Sequence, residues 1–355
     1  MKNTSLSSML PAAFFFLLTL GGPFAQAESF YRLESALTLA SKNEPDWDYL
    51  TFDQERSRLF VSRRDDGVSV YDAKAGKIIS TLEGTAGGNA IRLVPEYGRA
   101  YIITQDGSAT AFDLATLRKI TRIKFGDNAD NCFYDPVTKQ LMVTMGDSQQ
   151  VVFLEGATGR LVGKLAIDSS KLEGAAPDGK GNFFLALRDR NKVVRINVAE
   201  RRITAEWPTD GCELLSGLDY DPATQRIFVA GRGDKPILAV LDAVTGKVVS
   251  RPGIGRGNDA VIFDPETRRI YTANGMDGTL VILQQVNADT YQLAEAATTR
   301  PYAKTMAIDF KTKKIYTVTA EGTVDPSKPW RTALAPFYPN KFFPGTFVIL
   351  TYSAR

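Results

Sequence analysis

The phrase Arg269-Ile270-Tyr271-Thr272-Ala273-Asn274, preceded by Phe263-Asp264-Pro265 and followed by Gly275-Met276-Asp277-Gly278, occurs in seven related copies along the chain. Their third residues are Phe60, Tyr101, Met142, Phe184, Phe228, Tyr271 and Tyr316, at successive spacings of 41, 41, 42, 44, 43 and 45 residues. A strand-rich unit with a period in this range is the signature of propeller blades, each of which buries its faces only by stacking on the next. Within a copy, β-branched and aromatic runs alternate with Asp-Pro and Asn-Gly or Asp-Gly pairs, the pattern of hairpins. The sixth copy reads as strands over 259–263, 269–273 and 279–283, and in other copies a fourth strand follows a Gly-Lys turn, as at 77–82. The expected fold is all-β, a seven-bladed β-propeller in which residues 28–355 form one domain.

The chain ends indicate how the ring closes. The seventh copy stops after its third strand, Phe347-Val348-Ile349-Leu350, while Tyr31 to Leu39 precedes the first copy as an orphan strand. Pairing the two gives a last blade closed by the N-terminal strand. One insertion breaks the pattern, from Ala320 to Gly345, and it is rich in Pro, Phe, Tyr and Trp. Long loops without repeat structure are disproportionately functional, so the 320–345 loop is a candidate recognition surface.

Residues 1–27 read as a signal peptide: Lys2, an apolar run from Met9 to Leu20, and Ala25-Gln26-Ala27 before Glu28. The apolar run is too short to span a bilayer comfortably, and no other run approaches that length. The expected location is the periplasm, with no membrane span. The net charge of +3, close to +2 without Lys2, is too small for the phosphate attraction of nucleic-acid binders. Arg188, Arg190, Lys192 and Arg195 read as a solvated blade face. Cys132 and Cys212 fall in the third and fifth copies, which are not neighbours in a seven-fold ring, so their pairing stays open. There is no histidine, which removes the usual His-based general base and severely limits zinc, copper and haem ligation.

The blade phrase Tyr271-Thr272-Ala273-Asn274, with Val281 and Ile282 after the turn, resembles the YVTN-type β-propeller repeat. With the signal peptide, the chain is similar to exported bacterial propellers of the YncE type over residues 30–351. The resemblance implies a seven-bladed propeller in a bacterial periplasm and no single activity, because propellers host many functions. The fourth copy departs from the pattern, with Pro177-Asp178-Gly179-Lys180-Gly181 in place of the Asp-Pro turn.

The repeat also locates a candidate site. The positions that open the innermost strand of each blade are Asp48, Asn89, Asp130, Leu172, Ser216, Asp259 and Lys304, and a one-residue shift in the fourth copy brings in Glu173. Seven-fold packing arranges them around one mouth of the central channel as a polar, mostly acidic ring. Carboxylate and amide oxygens suit calcium, so Asp130, Glu173 and Asp259 are candidate metal ligands; the same residue types also cap strand starts. Trp47, Asn128, Asn131, Glu213, Arg256, Asn258, Arg300 and Tyr302 fall near the same mouth as candidate ligand contacts. No catalytic residue is identified. The glycines of Gly255-Arg256-Gly257-Asn258 precede a strand, where a dinucleotide fingerprint needs a helix. The leading expectation is a module that binds a periplasmic protein or small molecule through the channel mouth and the 320–345 loop. The alternatives are a calcium-dependent lactonase-like hydrolase, in which a carboxylate-held cation activates water, and an accessory subunit of a periplasmic redox enzyme. Apart from calcium, no cofactor is identified.

Overall fold

A computed structural model describes residue 1 and residues 30–41, 43–327 and 338–354. The expected signal peptide and residues 328–337 of the insertion lie outside the described residues. Seven four-stranded antiparallel sheets follow one another along the chain as the blades of a β-propeller. The innermost strands are Leu50–Asp53, Gly88–Val94, Cys132–Asp135, Leu172–Pro177, Leu215–Asp221, Asn258–Asp264 and Met306–Asp309.

The repeat phrase is the second strand of each blade, and its packing explains the spacing. Phe60 packs in one cluster with Ile91 and Ile102 of the next blade. Tyr101 packs with Cys132 and Leu141, and Met142 with Leu172 and Phe183. Phe184 meets Leu218 and Ile227, Phe228 meets Val261 and Phe263, and Tyr271 meets Ile308 and Ile315. Tyr316 completes the circle by packing against Leu50 and Phe52 of the first blade, its ring stacked on Phe52 at 5.3 Å. Each third residue therefore faces the following blade, and all seven are buried. The residue before it (Leu59, Leu141, Ile227 and their equivalents) faces the preceding blade, because successive strand residues point to opposite faces.

Hydrogen bonds between innermost strands reinforce this packing near the channel. Thr51 Oγ1 donates to the Ile91 carbonyl at 2.7 Å, Arg92 Nε to Cys132 at 2.8 Å, and Ser216 Oγ to Asn258 at 2.8 Å. At the turns, Asp264 and Asp309 accept backbone N–H groups and threonine hydroxyls two and three residues on. In the fourth copy, Asp178 takes the same role by accepting from the backbone N–H groups of Lys180 and Asn182.

The ring closes as expected. Tyr31–Thr38 pairs antiparallel with Val348–Ala354, with Tyr31 opposite Ala354 and Thr38 opposite Val348. Three strands of the last blade thus come from the end of the chain and the fourth from its beginning. Across the seam, Gln54 donates through Nε2 to the Ile308 carbonyl at 2.7 Å and accepts through Oε1 from the Phe310 N–H at 3.0 Å. Thr305 Oγ1 donates to the Asp48 carbonyl at 2.7 Å. Cys132 and Cys212 lie in separate interfaces, both buried and free. Among the described residues, no helix is long and apolar enough to cross a membrane.

Deleting residues 31–38 leaves Val348–Ala354 as a bare edge and the ring without its seam. The expected result is a melting temperature lower by roughly 10 °C or more, with self-association through the exposed edge. Thermal melts and size-exclusion chromatography check this; an unchanged melt would show that the N-terminal strand does not hold the ring together.

Candidate functional site

The strand starts converge as the repeat implies, and they bring more cations than the acidic pattern indicates. Lys304 Nζ lies 2.9 Å from Asp259 Oδ2 and 3.9 Å from Asp48 Oδ1. Arg64 Nη2 pairs with Asp48 at 2.7 Å, Arg188 Nη1 with Glu173 at 2.9 Å, and Arg232 Nη2 with Asp259 at 3.3 Å. Arg188 also approaches Asp259, at 3.9 Å. Asp130 belongs to the same group, in the electrostatic field of Lys171, Arg64, Asp259 and Lys304. The mouth is therefore a network of acids and bases.

Sequence reading missed Arg64, Arg188 and Arg232, although the signal was present. Each stands four residues after the third residue of its phrase (Phe60, Phe184 and Phe228), at the turn between second and third strands. That turn reaches the same end of the blade as the start of the innermost strand. Arg188 is thus not part of a solvated face: it also donates to the Leu215 carbonyl of the next blade at 3.1 Å. Of its expected companions, Arg190 pairs with Asp168 and Lys192 with Glu206, while Arg195 lies over Trp207.

The other expected residues divide by burial. Asn89 donates to the Ala129 carbonyl, and Asn258 is fully buried and accepts from Ser216 through its carbonyl. Asn89, Ser216 and Asn258 therefore tie neighbouring blades together. Trp47 is 1% exposed beneath Tyr302, Phe342 and Phe347, so it supports the mouth from below. Arg256 pairs with Asp277, and Arg300 is exposed, its charge acting on Tyr352 of the last blade. Asn128 and Glu213 are exposed, whereas Asn131 is buried and accepts from the Cys132 N–H. Tyr302 stacks on Tyr338 from the insertion at 4.9 Å. The described ends of that insertion pair as a short hairpin, Gly322–Thr323 with Lys341–Phe342. Gly275 is required beneath it, because a Cβ there would stand 2.9 Å from Lys304 Cβ and 3.1 Å from the Tyr338 hydroxyl. Tyr338 thereby reaches the rim of the charged mouth.

Burial shapes the ionisation of this network. Asp48 is pushed up to about 7 by burial, which outweighs Lys304 and Arg64. Glu173 is pushed up to about 7 by burial against Arg188, with Asp130 and Asp259 adding repulsion. Burial alone would raise Asp259, but Arg232, Lys304 and Arg188 together hold it below the usual carboxylate range. Burial disfavours the Lys304 ammonium, yet Asp259 and Asp48 hold it above its ordinary value. Tyr49, one residue into the channel, is raised by burial and by four surrounding carboxylates.

Asp130, Glu173 and Asp259 are the candidate calcium ligands expected from the sequence. Glu173 and Asp259 are engaged by arginine and lysine, and among the described residues no group of three or more His, Cys, Asp and Glu is placed to hold a metal ion. What the mouth does offer is donors. Arg64 Nε and Nη1 and Arg232 Nε are buried without a hydrogen-bond partner among the described residues, as is the acceptor Asn89 Oδ1. Buried polar groups are normally satisfied, so these atoms call for water or a ligand.

No protein-family model and no curated protein matches the sequence. Solved structures do match. A chain of the Kuenenia stuttgartiensis hydrazine synthase superposes with a TM-score of 0.66 at 16% identity, covering 79% of this chain and 94% of that one. A chain of the mitotic checkpoint complex gives 0.70 at 13% identity, covering 89% and 96%. The protein is a β-propeller, and at such identities the likeness establishes the fold alone.

The titration of Asp48 and Glu173 sets a pH dependence. Unfolded, they ionise near 3.8 and 4.5; folded, near 7. Between those values the folded chain binds more protons, so their contribution to stability is lost as pH rises from about 4 to 7. Asp259 acts in the opposite sense, but only below that window. Scanning fluorimetry across about pH 5 to 8 should show stability declining, and Asp48→Asn with Glu173→Gln should flatten the decline. An unchanged slope in the double variant would assign it to other groups.

Proposed function

We propose that the chain is an exported, periplasmic propeller of the YVTN type that acts as a binding module through its channel mouth and the ends of the 320–345 insertion. One observation carries this reading: the mouth gathers Arg64, Arg188, Arg232 and Lys304 around four carboxylates, and buried guanidinium N–H groups of Arg64 and Arg232 there have no hydrogen-bond partner among the described residues. With Asp48 and Glu173 half protonated near neutrality, the balance of charge tilts positive. A ligand with acceptor oxygens completes those donors, and Tyr338 borders it from the insertion. Export rests on the character of residues 1–27, and the YVTN assignment on the repeated phrase around Tyr271. The calcium-dependent hydrolase is the weaker reading, because a cation would have to displace Arg188 from Glu173 and both Lys304 and Arg232 from Asp259. The periplasmic redox-accessory reading has no residue in the site that favours it over binding.

Native mass spectrometry of residues 28–355, purified from the periplasm without chelator, tests the proposal. The expected result is a bound small molecule or protein that is lost on Arg232→Gln, with the fold retained by circular dichroism. A bare mass that accepts calcium, and loses it on Asp130→Asn, would replace the binding module by the metal-dependent reading.

A further inference from the structure

Below the charged mouth, the channel widens into a cavity of about 350 Å³. It runs from Tyr49, Asn131 and Asp259 at the strand starts past Tyr134 to Gln54 and Phe310 just beyond the strand ends, and Arg64, Arg188, Arg232 and Lys304 take no part in its lining. Phe52, Ile91, Phe133, Leu218, Val261 and Ile308 give its wall an apolar part, and Thr51, Gln54, Tyr134 and Asp219 also line it. This volume is in the range of small-molecule sites, and a cavity of about 150 Å³ already accepts benzene.

One cation faces this space. Arg92 donates through Nε to the Cys132 carbonyl at 2.8 Å, and its guanidinium lies over the Phe133 ring, 5.4 Å from the centroid. Burial works against its charge. Among the described residues no carboxylate comes within ion-pair distance of it. Asp219 is the acid whose field reaches Arg92, yet its two oxygens accept the backbone N–H groups of Tyr220 and Phe263, each at 2.8 Å. That carboxylate is fastened to the seam between the fifth and sixth blades. Arg92 is half-buried, its two Nη groups have no hydrogen-bond partner or counter-ion among the described residues, and a bound carboxylate meets such a guanidinium with two parallel hydrogen bonds.

We infer that the lower channel binds a small organic monocarboxylate with a compact apolar body. The carboxylate sits on the Nη groups of Arg92, and the body fills the space between Phe52, Phe133, Leu218 and Val261. A dianion such as phosphate is disfavoured by Asp219 beside it and by the apolar part of the wall. The site adjoins the mouth at Tyr49 and Asp259 but is built on Arg92, and it stands whether or not the mouth binds its own ligand.

Calorimetry and saturation-transfer NMR with benzoate and phenylacetate, on residues 28–355, test the inference. The expected result is saturable binding with Kd below ~1 mM, at least tenfold weaker for benzyl alcohol and for inorganic phosphate. Arg92→Gln weakens benzoate at least tenfold, Arg92→Lys restores part of the affinity, and Arg190→Gln, on the exposed surface, changes nothing. Should Arg92→Gln fail to fold, Ala175→Phe, which adds bulk at a lining position of the fourth blade, must abolish binding. Absence of saturation, equal affinity for benzoate and benzyl alcohol, or a folded Arg92→Gln that binds as the wild type does would overturn the inference.

Discussion

Closure of the ring is the constraint on which everything else depends. A propeller blade shields its faces only with its two neighbours, so a gap anywhere exposes two interfaces at once. Here the gap is sealed by main-chain pairing of Tyr31–Thr38 with Val348–Ala354 and by Tyr316 stacked on Phe52 across the seam. Gln54 and Thr305 add bonds from the first blade to the last. With the circle complete, seven strand starts are held at one end of the channel, and side chains from distant parts of the chain meet there.

That meeting place carries an electrostatic cost. Lys304 is separated from Asp48 by most of the sequence, yet both converge with Asp259 in a site where each is largely removed from water. Buried ion pairs contribute little net stability, whereas removing one partner from such a pair typically costs about 3–5 kcal/mol. The network is therefore difficult to account for as a stabilising device. Its incompletely satisfied arginines distinguish it from the inter-blade bonds of Asn258 and Ser216, whose polar atoms have partners within the fold.

The channel divides into two chemical environments along its axis. The upper end is set by side chains at strand starts and at the turns that share their level, and it is ionic. The lower part is set by residues of the same innermost strands, where apolar side chains such as Phe52, Phe133 and Val261 share the lining with Thr51, Gln54, Arg92, Tyr134 and Asp219. Tyr49 and Asn131 stand at the boundary. Two kinds of recognition can thus coexist on one seven-fold scaffold, because strand alternation places channel-facing and interface-facing residues independently.

The sequence by itself determined the blade count, the strand order and the closing partner. The information was repeated: the same buried phrase recurs from Phe60 to Tyr316, and a period is readable even when a single copy is ambiguous. It also placed Asp48, Asp130, Glu173, Asp259 and Lys304 at one mouth, since equal phase in a ring means equal height along the axis. What the tertiary structure alone decided was which charges meet. Arg188 lies among alternating basic residues that read as solvated, and the pairing of Leu172 with Leu187 inside its own blade sets it beside Glu173. Trp47 and Asn258 sit at the expected level but are covered, because burial depends on what packs above a residue. Arg92 carries no signal in the repeat; its isolation follows from where Asp219 spends its oxygens, a property of two blades in contact and of neither sequence segment alone.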